Sequence, residues 1–295
     1  MSETNKKVQV IANIIMAAAT ILILIPFILL FISSFTDSTE IALNGYSFFP
    51  KKWSMEAYAY IWKEKSQIFR AYFITIIVTA VGTTASLLIT MMYAYALSKD
   101  YFPGKKFFSM FLLFTMLFNG GLVPTYTMYT RYFHIKNTIW ALLIPSLLMG
   151  AMNVILVRSY IQNNVPASLT EAAYIDGANE YKIFAQIIMP LSKPIAVVIG
   201  MFIGVGYWND WTNGLYYVTD NKLYSIQQLL NNMLKNIEFL SSNSAASASA
   251  AGAVEIPKST VRMAIAVVGI LPILIIYPYV QKFFVKGIAL GAVKG

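Results

Sequence analysis

The feature that most constrains this chain is a set of long windows almost free of charge. They run from Val8 to Thr36, Ala71 to Ser98, Phe107 to Thr130, Asn137 to Val157, Pro194 to Thr219 (interrupted only by Asp210) and Met263 to Gln281. A helix needs about 20 apolar residues to cross the hydrocarbon core of a bilayer, so each window is long enough to do so. The composition agrees, with 58% of residues in the set AVILMFWYC and 12% charged. Soluble domains sit near about 45–50% and about 25%, so this chain lacks the polar surface to cover itself in water. Its solvent is lipid. The expected fold is an all-α membrane protein with six transmembrane helices, at about 11–35, 72–97, 107–130, 137–158, 194–219 and 263–282. A short segment, 1–10, precedes a single domain over 11–295. Pro26, Pro124, Pro145, Pro272 and Pro278 fall inside windows, which membrane helices tolerate when neighbours satisfy the freed carbonyls.

Several chemistries are excluded at once. With no Cys and one His, His134, the chain has no thiolate nucleophile, no disulfide and no His-cluster metal site. The net charge of +9 reads as membrane orientation rather than nucleic-acid binding, since Lys outnumbers Arg 18 to 4 and bidentate phosphate reading needs Arg. The first window is too long for a signal-peptide h-region and no A-x-A-like cleavage site follows it, so it is expected to stay. With the N-terminus inside, inner and outer segments each hold 11 Lys/Arg. The bias is set by short loops and helix ends. There Lys6/Lys7, Lys99/Lys105/Lys106 and Lys282/Lys286/Lys294 lean inward, against long outer loops Asp37–Arg70 and Asp220–Arg262. Both termini are therefore expected in the cytosol.

The loops differ in character. Asp37–Arg70 mixes Tyr46, Phe48, Phe49, Trp53, Tyr58, Tyr60 and Trp62 with charge and is expected to fold back on the membrane surface. Ile226, Leu229, Leu230, Met233, Leu234, Ile237 and Leu240 fall on one face of a helix over 224–240. The tract Ser241–Gly252 is low in complexity and suits a flexible external loop. The segment with most to say is Asn163–Lys193, NNVPASLTEAAYIDGANEYKIFAQIIMPLSK. Pro166 opens a helix through Ile175, Gly177 breaks it, Asn179 caps a second short helix, and Pro190 ends that one. An apolar, kinked, ordered loop at the water side wants a partner.

This segment resembles the EAA loop of the permease subunits of bacterial binding-protein-dependent ABC importers. Glu171-Ala172-Ala173 is followed by three residues, Gly177, nine residues and Ile187-Ile188-Met189-Pro190; the family form carries Leu where Met189 stands, a volume-conserving change. Asp176 and Phe184 match the carbohydrate-importer (maltose-permease-like) branch. So do Trp208-Asn209-Asp210-Trp211 and the tail Lys286-Gly287 to Gly291-Ala292-Val293-Lys294-Gly295. Asn119-Gly120-Gly121-Leu122-Val123-Pro124 is similar to the oligosaccharide and polysaccharide subgroup. The resemblance implies a type I ABC importer permease in the bacterial cytoplasmic membrane. Its cytosolic coupling helix, formed by Glu171, Ala172, Ala173, Asp176, Gly177, Ile187 and Pro190, would sit in a cleft on a partner ATPase, with Lys294 and Gly295 reaching the ATPase dimer. It implies further partners: a second homologous permease, a dimer of ATPase subunits and an external solute-binding protein. No cofactor is expected in this chain. It lacks a G-x-x-x-x-G-K-[ST] loop, so ATP and Mg belong to the ATPase and the chain is not an enzyme.

Other residues carry two readings each. Asp210 is a helix cap at the interface or part of the translocation path. Arg158 is a snorkelling anchor or a contact of the inner loop. Gly120-Gly121 with Pro124 is a bend or a gate. His134 is a solvated loop residue, and most aromatics pack the bundle. Asn119, Tyr126, Trp208, Asn209, Asp210 and Trp211 are the candidate substrate path, because a sugar offers an apolar face and a ring of hydroxyls that aromatic platforms and polar groups can meet. The alternative functions are a secondary transporter or channel, which would show matched broken helices and paired intramembrane charges, or a permease for a non-sugar solute. An intramembrane enzyme would need acid–base players that are absent from the windows.

Overall fold

The computed structural model describes residues 3–242 and 258–292. The tail residues Lys294 and Gly295, and the Ser241–Gly252 tract from residue 243 on, lie outside them. Among the described residues every regular element is helical, and the one β-type contact is an isolated antiparallel bridge between Thr36 and Trp53. Two compact units are distinguished, one of residues Met1–Ser66 and Leu230–Ile275, the other of Gln67–Leu229 and Ile276–Gly295.

In the first unit, α1 (Glu3–Ser34) is apolar on every face beyond its polar first turns, and none of its most apolar stretch is buried. Burial begins only at its last turn, with Ser33 and Ser34. There the expected surface loop is a small folded cap. α2 (Ser38–Asn44) is capped by the Asp37 carboxylate, which accepts the N–H groups of Thr39 (2.9 Å) and Glu40 (3.3 Å). The buried Glu40 carboxylate in turn accepts the N–H groups of Lys51 (2.6 Å) and Lys52 (2.5 Å), which fixes the turn that brings Trp53 back to Thr36. α3 (Glu56–Lys63) closes the cap through Ala57, Ile61 and the Tyr58 ring, 4.7 Å from Phe35.

The second unit is organised on α4 (Lys65–Ser98), long enough to cross a membrane by itself. Its buried positions Ala71, Thr75, Val78, Gly82, Ser86 and Thr90 recur every three or four residues and are small, while Phe73, Ile76, Val81 and Met92 face outward. This inverts the soluble pattern: with lipid outside, helices associate through small residues that let backbones approach. Gly82 shows how closely, because a Cβ there would lie 2.5 Å from the Tyr207 ring. That ring belongs to α12 (Lys193–Asn209).

The third, fourth and fifth windows are not continuous helices. α5 (Lys105–Leu117) has 13 residues and α8 (Ala151–Asn164) has 14, roughly 20 Å each at about 1.5 Å per residue. Neither alone spans a core of about 30 Å. After α5 the chain breaks and turns by 115° into α6 (Leu122–Thr127) and a π turn, Met128–Tyr132. The fourth window holds a one-turn α7 (Trp140–Leu143), then an unwound stretch, 144–150, before α8. The fifth breaks at Asp210 before α13 (Thr212–Tyr217). Among the described residues two helices are long and apolar enough to cross a membrane, or up to four if each bent pair is one span. Charge-free windows reveal which residues tolerate lipid, not whether the backbone runs straight through it. The expected amphipathic helix forms as α14 (Ile226–Ser242), and the last window lies within α15 (Lys258–Ala292).

Candidate functional site: a kinked loop and a cavity of broken helices

Within the second unit, the loop after α8 folds as two short helices. α9 (Ala167–Ile175) follows Pro166. Its end is a Schellman arrangement: the Gly177 N–H donates to the Tyr174 carbonyl (3.0 Å) and the Ala178 N–H to the Ala173 carbonyl (2.9 Å). Gly177 has φ +77°, with open space where a side chain would stand. Glycine is required here by backbone conformation and not by crowding. Asn179 caps α10 (Glu180–Ile183) by accepting the Lys182 N–H at 2.9 Å. Pro190 does not end this helix as expected. A π turn over Phe184–Ile188, with the Met189 N–H reaching back to the Phe184 carbonyl, precedes α11 (Met189–Leu191). The wider turn accommodates proline's missing N–H and its ring, and the axis bends by 83° only before α12.

Glu171, Ala172, Ile175 and Asp176 are exposed, Ile175 at 87%, whereas Ala173, Phe184 and Ile187 are partly buried against the core. The loop thus has an anchored face and a free face that carries both carboxylates and apolar Leu169 and Ile175.

The anchorage runs through contacts that sequence reading missed. The Glu180 carboxylate accepts the hydroxyls of Tyr95 (2.5 Å), Tyr101 (2.7 Å) and Tyr174. The Lys99 ammonium lies 4.8, 5.5 and 5.1 Å from the ring centroids of Tyr95, Tyr101 and Tyr174. Burial works to raise the Glu180 carboxyl, but the three hydroxyls and Lys99 outweigh it and hold it below the usual carboxylate range. Burial pulls the Lys99 ammonium down, offset in part by Glu180. The only signal in the sequence was the tyrosine content near Lys99, and the residues are separated by up to 85 positions.

The second feature is a cavity of about 470 Å³ lined by Asn119, Gly121, Leu122, Thr125, Ser146, Leu147, Asp210, Thr212, Asn213, Tyr216 and Tyr217. Three helix breaks converge on it. At the first, Asn119 accepts the Gly121 N–H (2.8 Å). At the second, unwinding after α7 frees carbonyls that helices around them satisfy: Tyr207 donates to Leu143 (2.7 Å), Asn213 to Pro145 (3.0 Å) and Ser86 to Leu147 (3.3 Å). Non-helical backbone at membrane depth persists only with such partners or beside a cavity. At the third, the Asp210 carboxylate accepts the Thr212 N–H and hydroxyl (3.1 and 2.8 Å) and the Asn213 N–H (3.3 Å), the cap reading of Asp210.

Of the candidate path residues, Asn119 and Asp210 line this cavity. Tyr126 stands behind it, stacked on Tyr217 at 5.7 Å. Trp208 is buried, and Asn209 and Trp211 are exposed without lining it. Thr125, Ser146, Thr212, Asn213 and Tyr216 were missed because unwinding, invisible to hydropathy, brings them there. Arg158 sits within α8, with Nη1 3.5 Å from the Ser109 hydroxyl, and His134 is exposed with φ +52°. Among the described residues no three His, Cys, Asp or Glu side chains gather into a metal site.

This architecture, with its kinked loop and interrupted helices, is that of a membrane transport subunit. The family model for the binding-protein-dependent transport system inner membrane component matches residues 107–290, and the chain belongs to that family. It is 35% identical to the polygalacturonan/rhamnogalacturonan transport system permease protein YtcP of Bacillus subtilis, over 92% of each chain. It is 33% identical to protein LplC of the same organism, over 92% of this chain and 90% of that one. Among solved structures, a bacterial ABC transporter involved in the import of the acidic polysaccharide alginate superposes with a TM-score of 0.78 at 28% identity, covering 96% of this chain and 99% of that one.

Proposed function

We propose that this chain is the permease subunit of an ATP-driven importer that moves an oligosaccharide across the bacterial cytoplasmic membrane by alternating access. The observation that carries the reading is the cavity. Its lining of amide, hydroxyl and tyrosine groups, with the Asp210 carboxylate itself bonded to Thr212 and Asn213, offers weak, exchangeable partners to sugar hydroxyls and faces, and it contains no Lys or Arg. The relatives named for galacturonan and alginate transport support the substrate class. In this reading the exposed face of α9, with Glu171, Ala172, Asp176 and the Gly177 bend, seats in a cytosolic ATPase. ATP and Mg are bound by that partner and not by this chain. A second permease completes the path, an external binding protein delivers the solute, and both termini are cytosolic. ATPase closure drags the loops and tips the bundle, a rigid-body switch.

The test is deletion of the gene followed by uptake measurements over a panel of neutral and uronic oligosaccharides, amino acids and metal ions. Loss of one or more glycans is expected. Loss of an amino acid or a metal with every glycan unaffected would end the sugar reading. A second measurement bears on the loop: Glu171→Ala should lower transport-coupled ATP hydrolysis while the chain still inserts, and wild-type coupled hydrolysis would remove the assignment.

A further inference from the structure

The Lys99 cage is not part of the exposed face assigned to the ATPase. Tyr95 lies in the last turn of α4, and Lys99 and Tyr101 follow it directly. Tyr174 comes from α9 and Glu180 is the first residue of α10, so the two straddle the Gly177 bend. The ammonium is held against three ring faces, each attracting it through the ring quadrupole. The phenol oxygens of all three rings lie within hydrogen-bond distance of the one carboxylate, and those of Tyr101 and Tyr174 also bond to each other, which closes a single network. The geometry therefore does two things at once: it fixes the angle between α9 and α10, and it ties both to the end of α4. The Tyr95 and Phe184 rings, 5.6 Å apart, continue the contact into the core. Ser86, which holds the unwound backbone at Leu147, is on the same helix nine residues from Tyr95, about 13 Å along the axis.

We propose that Lys99, with Tyr95, Tyr101, Tyr174 and Glu180, forms a positioning clamp that makes the loop and α4 move as one body, so that displacement of the loop reaches the cavity. This rests on the reading of the loop as the ATPase-coupling element. The role requires a cation held against the three ring faces, and α4 runs without a break from Lys65 to Ser98. A clamp acts on coupling between sites, not on ATPase docking.

The test uses the chain reconstituted with its partner permease and ATPase in proteoliposomes. Spin labels at Val123, next to Leu122 of the cavity lining, and at Tyr216, which lines it, report their separation before and after ATP with vanadate. In the otherwise unaltered chain the nucleotide should shift the separation. In Lys99→Met the ATPase should still copurify, but the ratio of shifted to unshifted population should fall at least about fivefold, the low end of typical coupling between distant sites. Lys99→Arg, which keeps a cation able to stack on the rings, should restore the shift. If Lys99→Met keeps the shift while Glu171→Ala loses it, the clamp falls and the coupling loop stands. If both keep it, the coupling-loop reading falls as well. Loss of the copurifying ATPase in Lys99→Met, or no shift in the unaltered chain, also overturns the clamp.

Discussion

Gly177 and Glu180 lie three positions apart and bear on the loop in different ways. At Gly177 a side chain has room but not the right backbone: a left-handed conformation costs an L-residue about 1–2 kcal/mol, less for Asn. Gly177→Asn should therefore retain most coupled ATP hydrolysis and Gly177→Val lose most of it. Equal rates for the two variants would show that the bend is not what matters. Glu180 sets a pH limit. Its carboxyl is held below its ordinary value, so its contribution to loop order is complete above the unfolded pKa of about 4.3. It is lost as pH falls through the lower folded value. Hydrogen exchange over residues 167–190 should be flat from pH 8 to about 5 once corrected for intrinsic rates, and protection should fall only at stronger acidity. Loss of protection near neutrality would contradict the arrangement of hydroxyls around the carboxylate.

Elements matter here through their interruptions. The stretch after α7 is unwound yet held, because Tyr207 donates to the Leu143 carbonyl at its start and Asn213 and Ser86 to the Pro145 and Leu147 carbonyls within it. Leaving a buried acceptor without its donor costs about 1–3 kcal/mol. Tyr207→Phe keeps the ring against Gly82 and removes only the hydroxyl, so it should lower thermal stability in detergent without altering insertion. Combined with Asn213→Ala the losses should not add, since both act on one segment; strict additivity would mean that the carbonyls relax independently.

The same interruptions mark the limit of sequence reading. The kinked loop was legible because its signals are local: Pro166 at the opening, Gly177 at the stop and Asn179 at the cap each act within four residues. The all-helical membrane class was legible because it needs only apolar length. The break at Asn119–Gly121 was foreseen from its glycines. The unwinding around Pro145 was not, since proline inside a membrane helix is compatible with either outcome and the deciding donors lie more than 60 residues away in sequence. The Lys99 clamp was missed for the same reason, being made by α4, its exit and two later helices.

For the whole molecule the orientation is the property from which the importer reading takes its direction. In the proposed orientation, which rests on the basic clusters at Lys6/Lys7 and Lys99/Lys105/Lys106 and the bias of short loops toward the cytosol, the segment around His134 faces outward and the kinked loop inward. With that orientation α5 leads away from the basic Lys99–Lys106 segment, and α8, which packs against it, leads back to the kinked loop. His134 and Asn179 are both exposed, and the native chain has no Cys. A single Cys at either position is therefore the only thiol in this chain. An impermeant maleimide added to intact cells should label His134→Cys and leave Asn179→Cys untouched until the membrane is opened. The opposite pattern would put the Glu171 face outside, where no ATP is available to drive it, and the import direction would have to be abandoned. Labelling of both from one side would instead mean that the bent segment α5–α6 does not cross at all, with His134 and the kinked loop on the same side.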